Sequence, residues 1–242
     1  MIKIFIDPGH NASGWDTGAS GKNAREQDIT FQIASRLRDI LKANYIDIKM
    51  SRNRLEDNLG NSVNSSLKAR VDLANQWGAD YFVSLHCNSY TSDAAMGTET
   101  LILSKGGKAE QLAYSINRNI VEQLRMYDRG VKSQNLYVLR NTKMPAVLVE
   151  MGFITNETDE WKLINRQDEF ANAIADGILG FLGIEKQDHE EKELVTVEYQ
   201  GKIITGYLYH DTTYVKIRQI AALLGKNIEW IGEENKVILT DD

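Results

Sequence analysis

The chain has 242 residues, of which 42% are hydrophobic and 26% are charged, and its formal net charge is −6. This composition excludes a fibrous or wholly disordered protein, and no apolar run approaches the ~20 residues that cross a bilayer. Because charges are nearly balanced over residues 1–184, a general duplex-DNA binder with a basic face is also excluded, so we expect neither nucleic-acid binding nor stable membrane insertion.

The first residues combine a short strand with a glycine-rich loop. Residues 2–7 read Ile-Lys-Ile-Phe-Ile-Asp, which predicts a β-strand, and Pro8 and several glycines follow as turn signals. This apolar run is too short for the apolar segment of a signal peptide. We therefore expect synthesis in the cytoplasm without a signal peptide, unless an export signal precedes Met1.

Strand and helix patterns then alternate. Apolar residues recur every four positions over residues 26–45, which predicts an amphipathic helix. The later predicted elements are a strand near 46–51, a helix at 66–77, strands at 81–87 and 98–104, a helix at 107–126, strands at 135–140 and 146–149, and a helix at 168–182. This order predicts an α/β fold, with a mostly parallel, twisted sheet of about six strands and helices on both faces.

The pattern changes near residue 185. Residues 185–193 contain almost no apolar side chain, which is typical of a charged, solvated linker. Residues 194–242 contain short strand patterns and one short helix pattern at 215–224, which predict a small α+β module. We therefore predict a catalytic domain at 1–184, a linker at 185–193 and a C-terminal module at 194–242.

Residues able to do chemistry follow the predicted strands. His10 lies just past the first strand, His86 and Asn88 end the strand at 81–88, and Glu150 ends the strand at 146–150. Functional groups of a parallel sheet gather beyond the carboxyl ends of its strands. Glu26 begins the first helix and is tethered to the same edge by the glycine-rich loop. We therefore expect these side chains to converge.

Two histidines and a glutamate suit Zn²⁺. Three protein ligands leave the fourth tetrahedral position for water, which is the catalytic arrangement. His10, Glu26 and His86 are the candidate ligands. Zinc lowers the pKa of bound water to roughly 7, and Glu150 is then the natural group to take the proton and return it to the leaving amine.

The same residues have simpler explanations. His10 fits a turn histidine that caps backbone groups, and His86 fits a core histidine in an apolar strand. Glu26 fits an acid favoured by the dipole at a helix start, and Asp16 and Asp28 are rival carboxylates nearby. The spacings alone therefore leave the zinc site as one of several interpretations.

Residues 87 and 88 face opposite sides of the predicted strand. Asn88 shares the face of His86 and is a candidate for binding substrate or for orienting a ligand. Cys87 points the other way, so we expect a core thiol. As the single cysteine it also excludes an internal disulfide.

Four ordered segments carry a family resemblance. They are Ile6-Asp-Pro-Gly-His10, Asp16-x-Gly18-Ala19 with Glu26 after it, Ser84-Leu-His86-x-Asn88, and Pro145-Ala-Val-Leu-Val-Glu150-x-Gly-Phe153. In this order they resemble the signature motifs of the zinc-dependent N-acetylmuramoyl-L-alanine amidases of the third amidase family. The resemblance runs from Ile2 to about Ile184.

The resemblance implies a function and a site. It implies a zinc ion held by His10, Glu26 and His86, a catalytic Glu150, and cleavage of the amide between N-acetylmuramic acid and L-alanine of the peptidoglycan stem peptide. Without a signal peptide the enzyme would reach the wall after release or lysis, which favours a phage or prophage endolysin. A bacterial autolysin of sporulation or cell separation, a catalytically silent wall-binding protein, and an amidase for another acyl-amide remain alternatives.

The C-terminal module carries a weaker resemblance. Its segments from Asp211 to Arg218 and from Leu224 to Trp230 resemble small repeats similar to the N-terminal domain of copper amine oxidases. No copper is implied, because the module offers no histidine cluster. We expect this module to bind cell wall or to mediate self-association.

Overall fold

The computed structural model describes residues 1–187, 193–209, 212–231 and 236–241. The chain divides into two compact units, Met1–Gln187 and Asp188–Asp242. The predicted linker 185–193 lies mostly outside the described residues.

The first unit alternates strands and helices. Its elements are β1 (Lys3–Pro8), α1 (Glu26–Ala43), β2 (Asp47–Met50), α2 (Val63–Trp77), β3 (Tyr81–Asn88), β4 (Thr98–Ile102), α3 (Lys108–Leu124), β5 (Asp128–Ser133), α4 (Tyr137–Asn141), β6 (Ala146–Phe153), α5 (Glu157–Asn165) and α6 (Gln167–Leu182). Within the described part of the chain, no helix is both long and apolar enough to cross a bilayer.

Six strands form one sheet in the order β2-β1-β3-β6-β4-β5. All neighbouring strands run parallel except β4 and β6, which pair antiparallel. The predicted mostly parallel sheet of about six strands is therefore confirmed. The carboxyl ends of β1, β3 and β6 lie side by side at one edge, which is where ligands of such sheets bind.

Helices cover both faces of this sheet, as predicted. Ile4 and Ile6 of β1 pack in a core with residues of α1, α3 and α6, whereas Phe5 packs in a second core with residues of α2 and α4. On α1, Ile33, Leu37 and Leu41 have no exposed surface. Burial of each such side chain contributes about 1.5–3 kcal/mol, which fixes Glu26 at the start of α1 against the sheet edge.

Both ends of α2 are fixed by capping residues. Ser62 and Ser65 form a capping box at its first turn, and Gly78 ends it in the left-handed conformation. These signals set the register in which Ser66 and Arg70, one turn apart, face the sheet edge.

The structure corrects the predicted strand at 135–140. Tyr137–Asn141 form the short helix α4, and the strand of this region is Asp128–Ser133. Val138 and Leu139 are adjacent yet enter the same apolar core, which a helical turn allows and a strand does not. The segment Asp128–Ser133 is polar because it is an edge strand, so it lacks the apolar alternation that predicts strands.

The paired strands described in the second unit all run antiparallel. Its three-stranded sheet contains β7 (Glu193–Tyr199), β8 (Lys202–Tyr209) and β9 (Thr212–Tyr214). The helix α7 (Ile217–Leu224) follows, and β10 (Asn227–Ile231) pairs with β11 (Lys236–Thr240). The predicted small α+β module is therefore present.

Candidate metal centre

Three predicted ligands from three separate elements meet at the sheet edge. His10 lies in the loop after β1, Glu26 is the first residue of α1, and His86 is near the end of β3. Their ligand atoms all lie within 4.8 Å of one another. Glu26 Oε1 is 3.0 Å from His10 Nε2 and 3.0 Å from His86 Nδ1.

The Glu26 carboxylate is buried and held from both sides. Its Oε2 accepts a 2.8 Å hydrogen bond from the backbone N–H of Ala19, and its Oε1 accepts a 3.0 Å bond from that of Cys87. Burial opposes its charge, but hydrogen bonds to His10 and His86 outweigh burial and hold the pKa of Glu26 well below its usual range. Glu26 is therefore ionised at neutral pH, as a metal ligand must be.

Asp16 orients the His10 ring. Its Oδ1 lies 2.8 Å from His10 Nδ1, and its Oδ2 accepts a 2.8 Å bond from Ser66. Burial opposes charge on both groups, but this contact lowers the pKa of Asp16 to about 2 and, together with Glu26, raises that of His10 to about 9. Asp16 thus contacts His10 Nδ1, which leaves Nε2 facing Glu26.

The other rival carboxylate lies outside the cluster. Asp28 forms an ion pair with Arg25, with 2.7 Å between Arg25 Nε and Asp28 Oδ2, and the pair is partly exposed. A helix-starting role near the N-terminus of α1 explains Asp28. Of the three carboxylates that the sequence offers near this position, Glu26 is the one placed between the histidines.

Two glycines allow the close packing of these side chains. A Cβ atom at Gly9 would lie 2.5 Å from the His86 ring. A Cβ at Gly18 would lie 2.6 Å from the His10 ring and 2.7 Å from Glu26 Oε2, and the φ angle of Gly18 is +73°. The glycine-rich loop therefore provides space for the side chains of His10, Glu26 and His86 as well as turns.

A buried ion pair beneath the loop has no counterpart among the sequence predictions. Arg70 Nη1 donates 2.7 Å and 2.8 Å bonds to Asp7 Oδ1 and to the carbonyl of Pro8, and Nη2 donates a 2.6 Å bond to the carbonyl of His10. Arg70 and Asp7 are almost completely buried. A carboxylate at the end of a buried strand is the signal that could have indicated a hidden cationic partner.

Glu150 lies beside the cluster on the next strand. It is opposite His86 in the pairing of β3 with β6, and its Oε2 is buried without a hydrogen bond to any described residue. Burial raises the pKa of Glu150 to about 7. A carboxyl group with this pKa can both accept and donate a proton near neutral pH.

Residues 87 and 88 face opposite sides of β3, as their alternation predicts. Cys87 is buried in the apolar core under α1, and burial raises the pKa of its thiol. Asn88 Nδ2 donates a 3.1 Å bond to Oε1 of Glu99 on β4. Glu99 is not among the predicted site residues, because Arg129 and Lys132, the cations that compensate its burial, are 30 and 33 residues away in sequence.

Comparison with known proteins identifies relatives over most of the chain. The family model described as N-acetylmuramoyl-L-alanine amidase matches residues 4–180. The sporulation-specific N-acetylmuramoyl-L-alanine amidase of Bacillus subtilis is 34% identical over 242 residues, which are 100% of this chain and 86% of the relative. The endolysin of Bacillus phage SPP1 is 33% identical over 179 residues, covering 72% of this chain and 62% of the endolysin.

Solved structures share the fold. An N-acetylmuramoyl-L-alanine amidase from Clostridium difficile 630 superposes with a TM-score of 0.67 and 36% identity, covering 75% of this chain and 97% of that structure. The catalytic domain of the amidase CwlV from Bacillus (Paenibacillus) polymyxa var. colistinus gives a TM-score of 0.68 and 33% identity, covering 76% of this chain and 100% of that domain.

Proposed function

The chain belongs to the N-acetylmuramoyl-L-alanine amidase family, and from this premise we propose that it is a zinc enzyme that cleaves the amide between N-acetylmuramic acid and L-alanine in peptidoglycan. Hydrolysis of this cell-wall amide follows from the family. The zinc dependence and the residue roles are the proposal. The observation that supports this proposal most directly is the position of the ionised Glu26 carboxylate, 3.0 Å from His10 Nε2 and 3.0 Å from His86 Nδ1.

The residues present fit a zinc ion. Two imidazole nitrogens and one carboxylate oxygen are the donor set that catalytic zinc takes, with a further position left open. We assign the ligand roles to His10, Glu26 and His86. A zinc ion held there would polarise the scissile carbonyl and lower the pKa of a water molecule to roughly 7.

The chain's own groups prepare these ligands. The Asp16 carboxylate accepts from Nδ1 of His10, which fixes the ring orientation and turns Nε2 to the site. The backbone N–H groups of Ala19 and Cys87 hold the Glu26 carboxylate in position. These supports lower the cost of assembling the site, because the ligands are already placed before the metal binds.

Glu150 is the proposed catalytic acid and base. As a carboxylate it accepts a proton from the attacking water, and as a carboxylic acid it donates that proton to the leaving nitrogen of L-alanine. Its buried, unpaired Oε2 and its raised pKa support both roles. Asn88 stays the predicted substrate-binding residue, and its bond to Glu99 supports a role in holding that neighbouring carboxylate.

Metal removal tests this function. The protein is stripped with a chelator, and release of L-alanyl peptide from a soluble muramoyl peptide is followed before and after zinc is added back. Loss of cleavage with the metal, and recovery near one zinc per chain, supports the proposal. Full activity of protein shown by elemental analysis to be free of metal would contradict it.

The whole-length match favours a bacterial role. A relative that matches all of this chain, including residues after 187, is a sporulation-specific amidase, whereas the phage endolysin matches 72% of it. We therefore favour the autolysin alternative over the endolysin role. Detection of the protein through the life cycle of its producing cell tests this. Appearance during sporulation supports the autolysin role, and appearance only after prophage induction contradicts it.

The second unit is proposed to bind cell wall or to mediate self-association. The separate antiparallel sheets of this unit support a function distinct from catalysis. Co-sedimentation of the whole chain with purified wall and light scattering of the free protein distinguish the two roles. A monomer that does not sediment with wall would contradict both.

A further inference from the structure

A row of polar side chains extends from the metal centre across the sheet. His86 is opposite Glu150 in the pairing of β3 with β6, and Glu150 is opposite Glu99 in the pairing of β6 with β4. Residues paired in this way project from the same face, with strands about 4.8 Å apart. The row ends on the edge strand β5, where Arg129 Nε lies 2.9 Å from Glu99 Oε2.

A bulge in the edge strand β5 directs the Arg129 side chain towards Glu99. The pairing of β4 with β5 shifts between Thr98 and Thr100, so that both Arg129 and Gly130 lie opposite Glu99. Gly130 has a φ angle of +78° there. Such bulges bend a strand locally and redirect a side chain, and they are frequent beside active sites.

The Arg129 guanidinium is held in place but does not use all of its hydrogen-bond donors. It lies over the ring of Phe153, with 4.8 Å from Cζ to the ring centroid, and Nη1 makes a long 3.4 Å bond to the carbonyl of Met96. Its Nη2 makes no hydrogen bond to the described residues, and the side chain is 30% exposed. A stacked guanidinium with free donors is suited to bidentate recognition of a carboxylate.

The local charge balance also favours an anion. Glu99 is one carboxylate, and it binds two cations, Arg129 and Lys132. Burial opposes the charge of Glu99, but these two partners lower its pKa, so it stays ionised. Glu99, Arg129 and Lys132 together therefore carry one net positive charge, and Lys132 is 45% exposed.

We propose that Arg129, with Lys132, forms a subsite for a carboxylate on the peptide that follows L-alanine in the substrate. The inference rests on the proposed function, because it takes Glu150 as the group beside the scissile amide. Arg129 is two strand spacings from Glu150, roughly 10 Å between backbones. The nearest carboxylate of an acidic residue after L-alanine is about five covalent bonds from the scissile nitrogen, roughly 6 Å, which the two facing side chains can span.

A purely structural role gives a different expectation. If Arg129 and Lys132 only compensate the buried Glu99, their loss disturbs the site for every substrate equally. If they bind a substrate carboxylate, their loss changes the preference between substrates with and without that group. The ratio of kcat/KM values for two such substrates separates the two roles.

The probes are N-acetylmuramoyl-L-alanyl-D-glutamic acid and its diamide, cleaved by the zinc-loaded whole chain. We expect the wild type to prefer the acid by about tenfold in kcat/KM, and Arg129→Gln to reduce this preference to about one. Arg118→Gln is the matched control, because Arg118 is exposed on α3, which covers the opposite face of the sheet. It should keep the tenfold preference.

Equal losses on both substrates in Arg129→Gln, or no preference in the wild type, would overturn the subsite. Lys132→Gln provides a second variant should the first fail to fold, and it should reduce the preference in part. If the wild type cleaves neither probe, the proposed function fails. The subsite is then tested by calorimetry, which measures the affinities of the whole chain for L-alanyl-D-glutamic acid and for its diamide. Tighter binding of the acid supports the subsite, and equal affinities would contradict it.

Discussion

Arg70 Nη2 donates a 2.6 Å hydrogen bond to the backbone carbonyl of His10. His10 has a φ angle of +65°, a left-handed conformation that costs a residue with a side chain roughly 1–2 kcal/mol. The bond therefore ties His10, the strained residue of the loop after β1, to α2, a helix with well-defined ends. A buried arginine outside the ligand set thus helps to place a proposed ligand.

Replacement of Arg70 tests this support. Arg70→Met leaves the buried Asp7 carboxylate and the His10 carbonyl without their donor, so the free energy of unfolding should fall by about 3–5 kcal/mol. Urea unfolding in the presence of a chelator measures this loss. Lys68→Met, an exposed change on the same helix, should leave the unfolding midpoint unchanged. A midpoint for Arg70→Met equal to that of the control would disprove the support.

The space at Gly9 is a second test. In Gly9→Ala the new methyl group would lie 2.5 Å from the His86 ring, so the ring must move and zinc affinity should fall by about tenfold or more. Competition with a chromophoric chelator measures the affinity. Gly180→Ala is the control, because its Cβ would meet nothing closer than 3.9 Å. Equal zinc affinities in the two variants would show that the ring position is not critical.

The roles of Glu150 and His86 can be separated. Glu150→Ala should lower kcat by about 10²–10⁴-fold while bound zinc stays near one per chain, because Glu150 acts on protons. His86→Ala should lose activity and zinc together, because it removes a ligand. Elemental analysis and turnover of the same preparations provide the comparison. Equal metal loss in both variants would place Glu150 among the ligands.

The raised pKa of Glu150 predicts a pH-dependent stability in the metal-free protein. Its pKa is about 7 in the fold against an ordinary value of 4.5, so the stability that the neutral carboxyl contributes is complete below pH 4.5 and is lost as the pH rises through 7. Glu150→Gln cannot ionise and should keep this stability. Urea unfolding should show the variant gaining roughly 1–3 kcal/mol over the wild type between pH 5 and pH 8. A constant difference across this range would contradict the shift.

The sheet and the positions of the proposed ligands follow from local patterns. The helix α1 is marked by Ile29, Ile33, Leu37 and Leu41, and the strand β6 by its continuous apolar residues, so both could be predicted. His10 follows β1, and His86 and Glu150 lie near the carboxyl ends of β3 and β6, so the topology of a parallel sheet brings them to one edge.

Features that depend on distant partners could not be predicted. The strand β5 has no apolar alternation because it is an edge strand, and the short apolar run of α4 predicts a strand as readily as a helix. The ion pair of Arg70 with Asp7 joins side chains 63 residues apart, and the contact of Asp16 with His10 depends on the path of an irregular loop. Such pairs leave no periodic signal along the chain.

Identification of the bond that is cleaved in peptidoglycan tests the central claim most directly. Purified wall is digested by the whole chain with and without a chelator, and new amino termini and reducing sugars are labelled and identified by mass analysis. The zinc amidase mechanism predicts new amino-terminal L-alanine, absent with the chelator and restored by zinc. New reducing sugars, other peptide termini, or bound wall without any released product would contradict it.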